Sequence, residues 1–243
     1  MNNNKKFWIC GKHSVLEALK NTNRKISKVL VNDNSKTKQI LEIKKNFKNI
    51  LVADNHKISK VIKNNSINHQ GYAAEIYENI NLIDKKKFYK NCKNIIILDG
   101  VIDPRNIGSI IRSAVGFQVD AIIIKEREYK YDSIAMYKAA SGAIEKINIF
   151  RYSNIKYAID ELINENFTII SLDSAANNII NEEIFSKKNV FIFGSEEKGI
   201  SEKILNKSHH KVKINIHNLE SLNVSNCVSS VLAIYQFVNK SIK

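Results

Sequence analysis

From Ile95 onward, short apolar runs alternate with amphipathic stretches, and this alternation constrains the fold more than any other feature of the chain. The runs Ile95–Leu98, Ala121–Lys125, Ile147–Phe150, Thr168–Leu172, Val190–Phe193 and Val212–Ile216 are brief and bounded by polar residues, as buried strands are. Between and after them, apolar residues at helical spacing mark Ile107–Val115, Ser133–Ala140, Ile155–Glu165, Glu182–Phe185, Glu202–Ser208 and Val224–Phe237. Strands alternating with helices predict an α/β fold with a mostly parallel sheet, covered on both faces. Ahead of this, residues 7–76 read as a small mixed α/β unit, with helices at Gly11–Leu19, Lys36–Phe47 and Ile58–Ile62 and strands at Lys28–Val31, Ile50–Ala53 and Tyr72–Ile76. The expected organisation is a first domain over 1–77, a linker over 78–94 with some helix around Ile83–Tyr89, and a second domain over 95–243. The one low-complexity tract is Asn2–Asn4.

Composition narrows the function classes. The formal net charge of +14 favours a polyanionic partner, although a chain this rich in lysine and asparagine reaches that balance through general bias as well. The lysine run 85–87 reads as a solvated face rather than a phosphate contact. Three widely separated cysteines and scattered histidines argue against a disulfide framework and against a metal site. No apolar run approaches the roughly 20 residues needed to span a bilayer. The N-terminus lacks the apolar core of a signal peptide, so a cytoplasmic protein without membrane contact is expected.

The eight glycines hold neither the Gly-x-Gly-x-x-Gly of dinucleotide enzymes nor a phosphate loop, which weighs against nicotinamide, flavin and nucleoside-triphosphate chemistry. No Gly-x-Ser-x-Gly elbow marks a hydrolase. Polar residues concentrate instead at three strand ends. The first, Asp103-Pro104-Arg105-Asn106-Ile107-Gly108, contains the single proline and leads to Arg112, so that two of the chain's five arginines fall between Leu98 and Ala114. Asn106 and Arg112 lie about 120° apart around a helix, so they need not serve one atom. The second, Gly194-Ser195-Glu196-Glu197-Lys198-Gly199, is an acidic loop that rejects phosphate and suits a ligand bearing amine or hydroxyl donors. The plainer reading of it is a turn after a strand. The third runs from Ile214 through Ser221, Asn223 and Ser225 into a long helix, and capping explains one of those three polar residues.

In this order the three blocks resemble the SpoU/TrmH family of RNA ribose 2′-O-methyltransferases. The resemblance rests on Asp99-Gly100, Asp103-Pro104, Asn106, Gly108, Arg112 and Ala114, on Lys138 to Ala143, and on Ser221-Leu222-Asn223-Val224-Ser225. The front part, with Gly11-Lys12-His13-Ser14-Val15 and His69-Gln70-Gly71, is similar to the RNA-binding domain of the bacterial 23S ribosomal RNA guanosine methyltransferases. Two departures stand out: Glu197 replaces a family glycine, and Asn215 a family proline.

The resemblance implies a knotted (trefoil) α/β methyltransferase domain behind a small RNA-binding domain, a topology that general rules of chain connection would not suggest. It implies S-adenosyl-L-methionine as cofactor, bound by Gly194, Ile214 and Leu222, with no metal. It further implies a homodimer whose sites borrow residues across the interface, and RNA, most of all ribosomal RNA, as partner. Arg112 would act on the ribose hydroxyl, which for an always-protonated guanidinium means stabilising the developing alkoxide. Asn106 and Glu196 would brace the loops, and Ser221 and Asn223 would donate hydrogen bonds near ribose or cofactor. A transfer RNA substrate and a non-catalytic RNA-binding protein of the same fold are the alternatives. Phe7, Trp8 and Tyr72 are candidates for stacking on bases, with core packing the preferred reading of Trp8.

Overall fold

The computed structural model of the chain describes residues 5–45, 47–63, 67–78 and 83–241. The tract Asn2–Asn4, one residue of the expected helix Lys36–Phe47 and part of the expected 78–94 linker lie outside the described residues. The chain forms two compact units, residues 1–80 with 130–146, and residues 81–129 with 147–243.

In the first unit, β1 (Lys6–Cys10), α1 (Lys12–Lys20), β2 (Ile26–Val31), α2 (Asn34–Ile43), β3 (Ile50–Val52), α3 (Asn55–Ile62) and β4 (Tyr72–Tyr77) follow in chain order. The sheet order is β1-β4-β2-β3, with β4 antiparallel to both neighbours and β2 parallel to β3. Asp33 and Asp54 start α2 and α3 by accepting the backbone N–H groups of Lys36 and Lys57. Strand β1 lies outside the elements expected from sequence, because its partner β4 lies 63 to 71 positions away, from Cys10↔Ala73 to Lys6↔Tyr77. Phe7 is buried edge-on against Tyr131, and Tyr72 is buried as well, so neither is a stacking platform for bases. Trp8 packs against the core cluster of Cys10, Leu30 and Ile58.

The second unit contains α4 (Lys85–Asn91), β5 (Asn94–Asp99), α5 (Pro104–Gly116) and β6 (Ala121–Lys125). Helix α6 (Ile134–Ala140) then belongs to the first unit. The second unit resumes with β7 (Asn148–Tyr152), α7 (Ile155–Asn164), β8 (Thr168–Leu172), β9 (Asn178–Ile179), β10 (Asn189–Gly194), α8 (Glu202–Leu205), β11 (His210–Lys213) and α9 (Val224–Ser241). The strand order is β7-β6-β5-β10-β8-β11-β9, and every pairing is parallel. Strand β10 joins the middle of the sheet after both of its neighbours have been laid down.

The strands alternate faces with period two. Ile95, Ile97, Ile123, Ile169, Val190 and Ile192 pack with Tyr89, Ile159, Leu162 and Ile204 of α4, α7 and α8. Phe191 points the other way and meets the ring of Tyr235 on α9 at 5.4 Å between centroids. Helices α5 and α9 pair on that side, joined by the hydroxyls of Ser113 and Ser229 at 2.8 Å. Burial on both faces explains why these strands read as continuous Ile/Val runs rather than alternating ones.

Several expected elements differ, among them the helix expected at Lys36–Phe47, which ends at Ile43. Glu182–Phe185 yields only a 3-10 turn at Glu182–Ile184, and α8 stops at Leu205 rather than Ser208. Strand β11 spans His210–Lys213, because Ile214–Ile216 leave the sheet to line a cavity. The division expected at 77 and 95 is also corrected: residues 130–146, assigned to the second domain, pack with the first unit. Arg24 there binds Glu145 through two parallel hydrogen bonds of 2.9 Å, both side chains at most 4% exposed, and Asn21 donates to the same carboxylate.

Candidate active site

Strand β5 ends in an acid, and the chain then turns sharply into α5. Asp103 caps that helix by accepting from the Arg105 N–H at 2.9 Å, and Pro104 occupies its first turn, where no N–H is needed. The Arg105 guanidinium and backbone hold the Asp103 carboxyl below its ordinary value. One turn on, Asn106 projects from α5 toward the loop that follows β10.

That loop closes on itself. Ser195 and Gly199 exchange backbone hydrogen bonds of 3.2 and 2.9 Å. An added Cβ on Gly194 would sit 2.1 Å from the Gly199 carbonyl carbon, so only glycine ends β10 this way. Position 197 carries no left-handed backbone, so glutamate stands there without strain where the family has glycine.

The three blocks meet at Glu196. Its Oε1 accepts from Asn106 Nδ2 at 3.1 Å, from Asn223 Nδ2 at 2.7 Å and from the Val224 N–H at 3.4 Å. Asn223 Nδ2 also reaches Asn106 Oδ1 at 3.2 Å, while Asn223 Oδ1 caps α9 through the Ser225 N–H and hydroxyl. Residues 90 and 117 positions apart thus form one solvent-accessible amide–carboxylate cluster.

Beside it lies a cavity of about 530 Å³ at the carboxyl ends of β8 and β10. Gly194, Ile214 and Leu222 line it, as do Glu196 and Ser221. Asn106 and Asn223 stand at its edge through Glu196. Arg112 is not brought into this group: it is exposed on α5 and, among the described residues, makes no hydrogen bond or ion pair. Cys227 also lines the cavity, and burial pushes its thiol up to about 11, which leaves it unreactive near neutrality.

Two features escaped the sequence reading. Asp173 and Ser174, at the end of β8, line the cavity; their signal was position at the end of a parallel strand. Beneath the site, buried Asp99 binds Lys125 Nζ at 2.5 Å and accepts the Ser201 N–H at 2.9 Å. Glu128 accepts the Gly100 N–H at 3.2 Å and lies 3.4 Å from the same ammonium. Burial pushes the Asp99 carboxyl up, but the bonds from Lys125 and Ser201 outweigh it and hold it below its ordinary value. This network ties the β5–α5 turn to the segment after the Gly199 loop.

Among the described residues, no helix is long and apolar enough to cross a membrane. A parallel α/β sheet with a ligand-sized cavity and converging polar groups at its strand ends describes an α/β enzyme with its site outside the carboxyl edge. Residues 93–233 match the SpoU rRNA Methylase family, and residues 8–79 match the RNA 2′-O ribose methyltransferase substrate-binding domain. A Staphylococcus epidermidis protein, assigned by name to the TrmH family of tRNA/rRNA methyltransferases, is 34% identical over 241 residues, covering 96% of this chain and 95% of its own. Among solved structures, an RNA 2′-O ribose methyltransferase superposes with a TM-score of 0.81 at 17% identity, over 98% of this chain and 91% of that one. The AdoMet-bound rRNA methyltransferase of Sinorhizobium meliloti gives 0.79 at 20% identity, over 96% and 87%. At such identities the structural likeness is one of fold. The chain belongs to the SpoU/TrmH family of RNA 2′-O-ribose methyltransferases.

Proposed function

We propose that this protein methylates a ribose 2′-hydroxyl of RNA using S-adenosyl-L-methionine, with a guanosine of 23S ribosomal RNA as the target. The convergence of Asn106, Glu196 and Asn223 beside the cavity carries this reading.

The cavity suits the cofactor. Its volume falls within the range of about 300–1,000 Å³ usual for small-molecule sites. Asp173, Glu196, Glu197 and Glu220 line it against the cations Lys198 and Lys213, a balance that favours an ammonium and a sulfonium and disfavours a polyphosphate. Leu172, Phe193, Ile214 and Leu222 supply apolar walls for a nucleobase, and Gly194 lets backbone approach closely. When bound, S-adenosyl-L-methionine supplies a methyl group already activated for attack by oxygen.

The chain's own task is to place the hydroxyl, ease its proton loss and exclude water. Glu196, held by three N–H donors, fixes the three loops against each other, leaving Ser221 to donate toward the ligand. Arg112, permanently protonated, stabilises negative charge building on the 2′-oxygen. Its exposure and its lack of a partner among the described residues fit a homodimer in which Arg112 completes the neighbouring protomer's site. The threaded C-terminal segment implied by the family accords with the late entry of β10 into the middle of the sheet.

The test is Arg112→Ala. Methyl transfer falls about 10²–10³-fold, the range for removing one charge-stabilising donor, while calorimetry shows cofactor binding unchanged. Transfer within a few-fold of wild type would remove Arg112 from this role. Mapping 2′-O-methylation in ribosomal and transfer RNA, with and without the protein, decides the substrate.

A further inference from the structure

The first unit has a cavity of its own, about 490 Å³, between the 67–71 loop, the end of β2 and the first turns of α3. Among the described residues, Asn32, Asn55, Ser59, Asn68, His69 and Gln70 line it, and no carboxylate does. The backbone shapes it: Gln70 and Gly71 both have positive φ, and a side chain at Gly71 would collide with the Asn32 amide.

The four amides are oriented by their partners. Gln70 Oε1 accepts from the Lys12 N–H at 3.1 Å, and Asn68 Oδ1 from the Gln70 N–H at 3.0 Å. Asn32 Oδ1 accepts from the Lys36 ammonium, and Asn55 Oδ1 from Asn32 Nδ2 at 2.9 Å. Each carbonyl oxygen is therefore occupied by a donor of the protein. What remains are donors: Nδ2 of Asn55, Nδ2 of Asn68 and Nε2 of Gln70 make no hydrogen bond among the described residues. His69 Nδ1 accepts from the Gly71 N–H at 3.0 Å, which places its proton on Nε2, and the ring donates it to the Asn55 backbone carbonyl, so His69 braces the lining and adds no free donor.

Two cations flank this lining. Lys36 is bound to Asn32, with Asp33 at 3.0 Å offsetting part of its charge. Lys138 donates to the Asn68 carbonyl and, among the described residues, has no carboxylate partner. Both charges act on His69. A concavity offering donors without spare amide acceptors, with cations on either side, complements an anionic, oxygen-rich strand.

We infer that this cavity binds a phosphodiester of the RNA substrate together with the adjoining ribose oxygens, an assignment that rests on the RNA reading above. Such a contact positions the strand and carries no base sequence. Lys138 comes from the segment between β6 and β7, so the site is built from two distant stretches of chain.

The test is the double variant Asn55→Asp with Asn68→Asp in the full chain. Both changes are isosteric and keep the Oδ1 acceptors, but replace each free amide donor with an anionic oxygen. Anisotropy with a fluorescein-labelled single-stranded 20-mer oligoribonucleotide reads the affinity. Kd rises at least tenfold, with the melting profile and cofactor affinity of wild type. Lys138→Met, which removes the ammonium together with its bond to the Asn68 carbonyl, lowers the salt slope by about 0.7, the loss of one phosphate contact on a single strand, with the melting profile of wild type. Affinity of the double variant within twofold of wild type, or an unchanged slope for Lys138→Met, overturns the cavity assignment and leaves the RNA reading intact. Displacement of the oligonucleotide by inorganic phosphate at constant ionic strength makes this a free-phosphate site and overturns it too. Wild-type protein that binds neither the oligonucleotide nor ribosomal RNA overturns the RNA reading itself.

Discussion

Asp99 illustrates how one residue acts on a site it does not line. It ends a strand that is buried throughout, and its carboxylate joins Lys125 to the Ser201 backbone. Asp99→Asn keeps the shape and removes the charge, so stability falls by about 2 kcal/mol at neutral pH, the worth of a hydrogen bond to a charged group. The folded carboxyl titrates below its ordinary value, so its contribution is complete above the unfolded pKa of about 3.9 and is lost as pH falls through the lower folded one. Urea titrations of wild type and variant therefore differ at pH 7 and converge only as pH falls below the ordinary carboxylate range. A difference that persists at low pH would place the effect outside this carboxylate. Asn106, Glu196 and Asn223 were legible in the sequence because polar residues crowd the ends of apolar runs. Lys125 and Glu128 were not, because an ion pair between strands is visible only once the strands are neighbours.

The segment around α6 shows the same limit for a whole element. Its helix was legible: Ser133 caps it through the Met136 N–H, and Met136, Tyr137 and Ala140 are spaced to bury one face. Which unit receives that face was not. Tyr137 meets Phe7, its carbonyl accepts from Ser14 at 2.9 Å, and Glu145 closes the segment on Arg24. Glu145→Gln leaves the buried guanidinium without its counter-charge, which costs about 3–5 kcal/mol. The expected outcome is a lower denaturation midpoint for the first unit, followed through Trp8 fluorescence. An unchanged midpoint would mean that Arg24 finds another partner.

For the full chain, this packing changes what a truncation does. Cutting at residue 80 would appear to release a clean methyltransferase domain, yet it strips the partners from Met136, Tyr137, Ala140 and Ile144, which are all buried. A fragment spanning 81–243 is therefore expected to expose that apolar face, bind a hydrophobic dye and aggregate. Light scattering checks this. A fragment that stays monodisperse and cofactor-competent would show that residues 130–146 find shelter without the first unit.

Local patterning determined most of the elements and the parallel class of the larger sheet, because burial on both faces writes itself into continuous Ile and Val runs. The motif residues determined the family, since Asp103, Pro104 and Asn106 serve a turn whose chemistry is local. Folding alone decided which residues share a site. It set the order β7-β6-β5-β10-β8-β11-β9, brought Glu196 to Asn106 and Asn223, and packed residues 130–146 with the first unit. Those outcomes depend on contacts between distant parts of the chain, whose free energy comes from burying apolar faces and pairing polar groups together. No window of sequence contains both partners.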